Sequence, residues 1–248
     1  MKKTFIKTTL LTGLLAASTL GTQAQNVYLK LNGGYNFGDA SLSESFPNQQ
    51  RVGTVTTYEE SKVKFGKGIN FGGSIGYMFN SYIGTELNVS YLIGRESTVK
   101  ETNVSGGNSS EFNSTYSSKM LSFTPAIVIT PGFDKLNPYG RFGLCMGFAK
   151  INSEEDSKST FGSMNSSYYT LFEMSGGLAL GFQSAIGVNF NLSDKISVFG
   201  ELSNSVITYK PKKGEIIESK DDGVDDLATY TISEKETEYV DSYTEDSS

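Results

Sequence analysis

The sequence predicts an all-β fold: an antiparallel, up-and-down transmembrane β-barrel of the eight-strand type, with the last strand missing from this chain. Three observations predict it. Seven segments alternate bulky apolar residues with Gly, Ser and Asn at a period of two. The links between them alternate between short turns and long polar stretches. The N-terminus carries an export leader, and no later segment is long and apolar enough to span a bilayer as a helix.

The leader comes first in the chain. Lys2, Lys3 and Lys7 form a positive n-region, an apolar stretch runs from Leu10 to Leu20, and Thr22-Gln23-Ala24 is a small-x-small cleavage signal before Gln25. Residues 1–24 are therefore expected to be cleaved as a secretory signal peptide. No Cys stands beside the site to carry a lipid.

The strands follow in order. From Val27 to Phe37, the set Val27, Leu29, Leu31, Tyr35 and Phe37 alternates with Tyr28, Lys30, Asn32, Gly34 and Asn36. From Phe65 to Phe79, Phe71, Ile75 and Tyr77 oppose Gly72, Ser74 and Gly76; from Ile83 to Gly94, Leu87, Val89 and Tyr91 oppose Glu86, Asn88 and Ser90. The segments Leu121–Thr130, Arg141–Ala149, Phe172–Phe190 and Ile196–Val206 continue the pattern. Asn80–Ser81, Pro131–Asn137 and Asn191–Lys195 are turn-like. Gly38–Val63, Ser97–Thr115 and Asn152–Ser166 are long and rich in Ser, Asn and Glu. Short turns at one end and long loops at the other are the layout of an outer-membrane barrel, short on the periplasmic side and long outside.

Which face meets which medium follows from side-chain size. The Gly, Ser and Asn face is a poor solvent surface for a sheet, but it fits the narrow lumen of an eight-strand barrel. The bulky face then meets lipid through Leu29, Phe71, Leu87, Ile127, Leu144, Leu180 and Val198. Phe79, Tyr82, Phe133 and Phe190 form one aromatic girdle beside the short turns, and Tyr35, Phe37, Phe65, Tyr91 and Phe148 a second toward the long loops. A secreted soluble barrel or sandwich that binds a ligand is the lesser alternative.

Composition narrows function. The 248 residues include no His and one Cys, Cys145, and carry a formal charge of -6. Imidazole acid–base chemistry, Ser-His-Asp and Cys-His nucleophiles, and thiolate metal clusters are thereby excluded. No basic stripe is available for nucleic acid. The sequence thus predicts no enzyme, no cofactor and no metal site.

The leader, the Tyr28–Phe37 strand, the Gly-alternating Phe65–Phe79 strand and the Leu192-Ser193-Asp194-Lys195 turn together resemble the small outer-membrane β-barrel superfamily typified by the transmembrane domain of outer membrane protein A. The resemblance covers about residues 25–210. It implies eight strands, a location in the cell outer membrane, contact with its lipid, delivery by periplasmic chaperones and the barrel-assembly machinery, and usually no enzymatic activity. Two departures stand out: nothing after Lys210 is similar to a peptidoglycan-binding domain, and a last strand with a terminal aromatic residue is missing.

The remaining features are charged. Residues 211–248 hold four Lys and twelve Asp plus Glu, and so read as a solvated acidic extracellular loop; the domains are then 1–24 leader, 25–212 barrel strands and 213–248 loop. Asp221–Asp226 does not spell an EF-hand calcium loop. Single-chain bacterial barrels have even strand numbers, so an eighth strand is required after the seventh. Ala228–Ser233 and Glu238–Tyr243 are short and acidic candidates, and an unclosed seven-strand barrel is expected, with residues from about 214 irregular or in a hairpin above the rim. On the lumen face lie Glu86, Arg141, Glu173 and Glu201, which predict a charge network around Arg141 acting as a plug or, less simply, as a gate. The sequence therefore points to a structural or narrowly porin-like outer-membrane barrel, with surface recognition or adhesion through the long loops as the alternative.

Overall fold

A computed structural model of the chain describes residues 6–13, 17–21, 26–38, 40–41, 46–61 and 64–239. Along the chain come β1 (Ile6–Gly13), β2 (Ala17–Gly21), β3 (Val27–Asn36), β4 (Ala40–Ser41), β5 (Phe46–Val52), β6 (Val55–Ser61) and β7 (Lys64–Phe65). There follow β8 (Gly68–Met78), β9 (Ile83–Gly94), β10 (Ser97–Ser105), β11 (Asn108–Ile129), β12 (Leu136–Phe161) and β13 (Met164–Ser175). The last are β14 (Ala179–Asn191), β15 (Ile196–Tyr209), β16 (Lys213–Asp221), β17 (Val224–Asp225), the short helix α1 (Ile232–Lys235) and β18 (Glu236–Glu238).

The barrel is a closed ring of antiparallel neighbours. β3 pairs with β8, β8 with β9, β9 with β11, β11 with β12, β12 with β14, and β14 with β15. Its bulky face points outward: Leu29, Phe71, Leu87, Ile127, Leu144 and Leu180 are exposed, and Val198 is half-buried. The small and polar face is buried, as in Ser74, Glu86, Asn88, Ala126, Arg141, Cys145, Ser203 and Ser205. Phe79, Tyr82, Phe133, Phe37 and Phe148 are exposed girdle residues; the Phe65 side chain lies outside the described residues. The short turns are tied by their own side chains. Asn80 Oδ1 accepts from the backbone N–H of Tyr82 (2.8 Å) and Ile83 (2.9 Å), and Ser193 Oγ accepts from Ile196 N–H (3.2 Å).

Four expectations are corrected. First, the sheet does not stop at seven strands. β1 and β2 pair with β15 on one side and β3 on the other, so the segment with the sequence of a leader fills the eighth position. A bare edge on β3 and on β15 would leave a row of unpaired N–H and C=O groups, and a strand antiparallel to both satisfies them. Second, the segment Phe172–Phe190 is not one strand. It breaks between β13 and β14 at Gly176 and Gly177, whose φ values of +73° and +74° only glycine adopts freely. Third, the long loops are largely strand. Residues 97–117 and 151–175 form hairpins paired to one another, and they escape a period-two reading because both faces carry mostly polar residues, with only a few apolar ones such as Val99 and Ile151 buried at their base. Fourth, Ala228–Ser233 holds a 3-10 turn at Leu227–Thr229 and the start of α1. Of Glu238–Tyr243, Glu238 pairs with Lys213, and residues 240–243 lie outside the described residues.

Above the ring the same sheet continues outward through the extended ends of β11 and β12. β6, β5, β10, β11, β12, β13 and β16 lie side by side, with β17 and β18 on β16. The acidic segment enters it as the hairpin β16–β17, turning at Asp222 and Gly223, both at positive φ.

Candidate functional site: a lumen closed at two levels

The inner closure is ionic. Arg141 of β12 donates from Nη1 to Glu86 Oε1 (2.9 Å) and from Nη2 to Glu201 Oε1 (2.7 Å), clamping carboxylates from opposite sides of the lumen. Lys30 of β3 pairs with Glu86 Oε2 at 2.8 Å. Its ammonium sits 4.4 Å from the Tyr139 ring centroid, 5.2 Å from that of Tyr28 and 5.4 Å from that of Phe199. Three aromatic faces around one cation supply attraction that water no longer provides. Tyr28 donates its hydroxyl to Glu86 and Tyr139 donates to Glu201, each at 2.9 Å. Two cations therefore meet two carboxylates, and each carboxylate has a phenol as well.

Backbone shape makes room for this cluster. Tyr28 faces Gly76 across β3–β8, and Gly76 faces Glu86 across β8–β9. A Cβ on Gly76 would stand 2.1 Å from the Tyr28 ring. On the opposite wall Tyr139 faces Gly187, which faces Glu201, and a Cβ on Gly187 would stand 2.5 Å from the Tyr139 ring. Each tyrosine lies flat over a glycine to reach the carboxylate one strand further on.

Above the charges a polar layer follows. Asn88 donates to Ser74 Oγ (2.8 Å), Ser90 and Ser122 share a hydrogen bond (2.8 Å), and Gln183 donates to Ser205 (3.0 Å). A polar cavity of about 40 Å³, lined among others by Asn88, Arg141, Gln183 and Glu201, has room for only a few water molecules. On the short-turn side, Tyr28, Lys30 and Tyr139 border an open vestibule of about 760 Å³.

The outer closure is apolar. Val99, Cys145, Ile151, Ala179, Ile207 and Tyr209 form a buried cluster, with Tyr116, Met120, Ala149 and Met174 packed against it. Tyr209 Oη reaches the carbonyls of Ala149 (2.7 Å) and Gly176 (2.9 Å), which fastens the cluster to the break between β13 and β14.

Of the four residues the sequence singles out, Glu86, Arg141 and Glu201 meet, and Glu173 does not. Glu173 lies above the ring on β13 and pairs with the exposed Lys150 at 2.7 Å, because the glycine break separates it from the lumen face of β14. Lys30 escapes a search confined to acids around one arginine, although two carboxylates in a dry lumen require a second cation. A signal for it is present in the sequence as an internal repeat. Asn26-x-Tyr28-x-Lys30 recurs 111 residues later as Asn137-x-Tyr139-x-Arg141, and Ile75-Gly76-x-x-Phe79-Asn80 recurs at the same offset as Ile186-Gly187-x-x-Phe190-Asn191. Glu86-Leu87 then corresponds to Glu201-Leu202, after a turn four residues longer. β3 and β12 stand half a ring apart, so the repeat places the two copies of the unit face to face across the lumen.

Residues 8–233 match the family model described as the outer membrane protein beta-barrel domain. No curated protein matches the chain. Among solved structures, the chain is similar to Ail, the attachment invasion locus protein of Yersinia pestis. In complex with the heparin analogue sucrose octasulfate, Ail shows 14% identity over 82% of this chain and 99% of that one, with a TM-score of 0.20. A second structure of Ail shows 15% identity over 84% and 100%, with a TM-score of 0.19.

Proposed function

The chain belongs to the outer membrane protein beta-barrel domain family, and on that premise we propose that it is a closed barrel that anchors and displays an extracellular sheet for surface recognition, rather than a channel. The observation that carries this reading is the double closure of the lumen beneath a projecting sheet. A solute would have to part the Arg141–Glu86–Glu201 clamp and then the Val99–Ile151–Tyr209 cluster. Meanwhile the outer part of β12, from Ile151 to Phe161, extends roughly 35 Å at about 3.3 Å per residue. Such long, paired hairpins exceed what is needed to cap a barrel.

The same reading includes no catalysis. The lumen carboxylates are engaged by Arg141, Lys30, Tyr28 and Tyr139, and the chain has no histidine to act as a base near neutral pH. It also includes delivery by periplasmic chaperones and the assembly machinery, and exposure of residues 213–238 outside the cell; residues 1–24 stay with the barrel in this reading, because β1 and β2 are what pair the edges of β3 and β15.

Planar-bilayer recording of the folded protein tests the proposal. No conductance steps above the lipid baseline are expected between pH 5 and 8. Steady ohmic steps in the unmodified protein would overturn the display reading in favour of a pore.

A further inference from the structure

The outermost edge of the projecting sheet ends in two hairpin tips of one design. Val52-Gly53-Thr54-Val55 joins β5 to β6, and Phe161-Gly162-Ser163-Met164 joins β12 to β13. Both glycines sit at φ +60° and both tips are open, with nothing within 4 Å of where a Cβ would lie. The turn needs the glycine. It does not need the flanking pairs, yet these are Val/Val and Phe/Met, exposed by 55%, 67%, 66% and 72%.

The two tips belong to one edge. A third turn, Ser105-Gly106-Gly107-Asn108 between β10 and β11, links them: Gly53 N–H donates to Val104 O (2.8 Å), placing the exposed Val104 beside the first tip, and Gly162 N–H donates to Asn108 Oδ1 (3.1 Å), joining this third turn to the second tip. They are also corresponding positions: the tips stand 109 residues apart, within two residues of the barrel repeat, so both copies of the unit end in an apolar–Gly–Ser/Thr–apolar turn.

The sheet beneath is strongly acidic. Residues 46–61, 97–117, 151–175 and 213–238 together hold seventeen carboxylates against six Lys and Arg. We infer that this apolar crest is a docking surface for a cationic, amphipathic polypeptide, whose apolar residues cover Val52, Val55, Phe161 and Met164 while its Lys and Arg meet the acidic sheet below. Apolar contact supplies the core of such an interface, and the opposite charges supply its rate and selectivity. An anionic lipid surface or a polyanion would instead be repelled at the approach distance the crest requires. The inference rests on the display reading above and gives it a partner chemistry.

The test uses the protein in nanodiscs of zwitterionic lipid, with empty discs as the baseline. The labelled probes are an eighteen-residue Leu/Lys peptide, a Lys/Ser peptide of equal charge and a Leu/Glu peptide, on the order of one interface in size. Fluorescence anisotropy should show the Leu/Lys peptide binding above baseline. Val52→Ser/Val55→Ser or Phe161→Ser/Met164→Ser should each weaken it by roughly fivefold and the four together by at least about tenfold. Lys/Ser should bind weakly and insensitively to these changes, and Leu/Glu should not bind.

Unchanged Leu/Lys binding by the four-serine protein, equal binding of Leu/Glu, or capture of anionic vesicles that the serine variants abolish would each overturn the inference. Protease resistance and heat-modifiable migration check that the variants are folded, and none of the four side chains touches the barrel lumen. Conductance of the unmodified protein is recorded alongside. Steps there would overturn the display reading itself, whereas silent bilayers with serine-insensitive peptide binding would overturn the crest alone.

Discussion

The two layers that fill the lumen, one ionic and one apolar, are held together by opposite physics. The inner one is a few strong, directional contacts between desolvated charges, with every member dependent on its partners. The outer one is a cluster of valine, isoleucine, alanine, methionine and tyrosine held by contact area. Losing one partner of a buried ion pair strands the other charge, whereas losing part of an apolar cluster leaves a void that neighbours partly fill. The inner layer is therefore brittle and the outer one graded, and on the display reading a single change should not open the barrel.

The largest effect should come from Arg141→Ala. It leaves Glu201 with only the Tyr139 hydroxyl and Glu86 with Lys30 and Tyr28, and is expected to cost roughly 3 to 5 kcal/mol by urea unfolding in lipid vesicles. Ile151→Ala, in the outer cluster, should cost about 2 to 3 kcal/mol in the same assay. Neither variant alone should conduct in a planar bilayer, and combining them should. Conductance from Arg141→Ala alone would show that the apolar cluster does not seal the lumen.

Smaller effects sharpen the comparison. Tyr28→Phe and Tyr139→Phe each remove one hydroxyl from a carboxylate across a glycine, and should cost about 1 to 2 kcal/mol each, matching one another as the repeat requires. A clear inequality would mean that the two halves of the cluster are not equivalent. Lys150→Ala removes the partner of Glu173 at a solvent-exposed site, where screening leaves about 0.5 kcal/mol or less. A loss as large as that of Arg141→Ala would return Glu173 to the inner network.

The smallest effect is one of pH. Partial burial and the hydrogen bond to Glu154 (2.8 Å) push the Tyr169 hydroxyl on the projecting sheet above the ordinary tyrosine range. Its contribution to stability is present below the unfolded tyrosine pKa of about 10 and is lost as pH rises through the folded value. Ultraviolet titration against Tyr169→Phe should find one tyrosine fewer among the late-ionising ones.

Alternation along a strand is local, so the sequence by itself determined which residues face lipid and which face the lumen. Leu29, Phe71 and Leu144 outward, and Glu86, Arg141 and Glu201 inward, follow from a period of two that no distant contact alters. The short turns follow from their own side chains in the same way, as at Asn80 and Ser193. Tertiary structure decided everything that depends on register between strands far apart in the chain. Lys30 joined the cluster because Tyr28 and Tyr139 meet over it from opposite walls, and Glu173 left it because two glycines at positive φ divide what reads as a single strand. The polar hairpins became a sheet because each supplies the other's hydrogen bonds, a reward invisible to a pattern search when both faces are mostly polar. The eighth position of the ring was settled in the same currency: two open edges in an apolar medium must be paired, and which segment pairs them depends on the direction and reach of the whole chain rather than on any local run of residues.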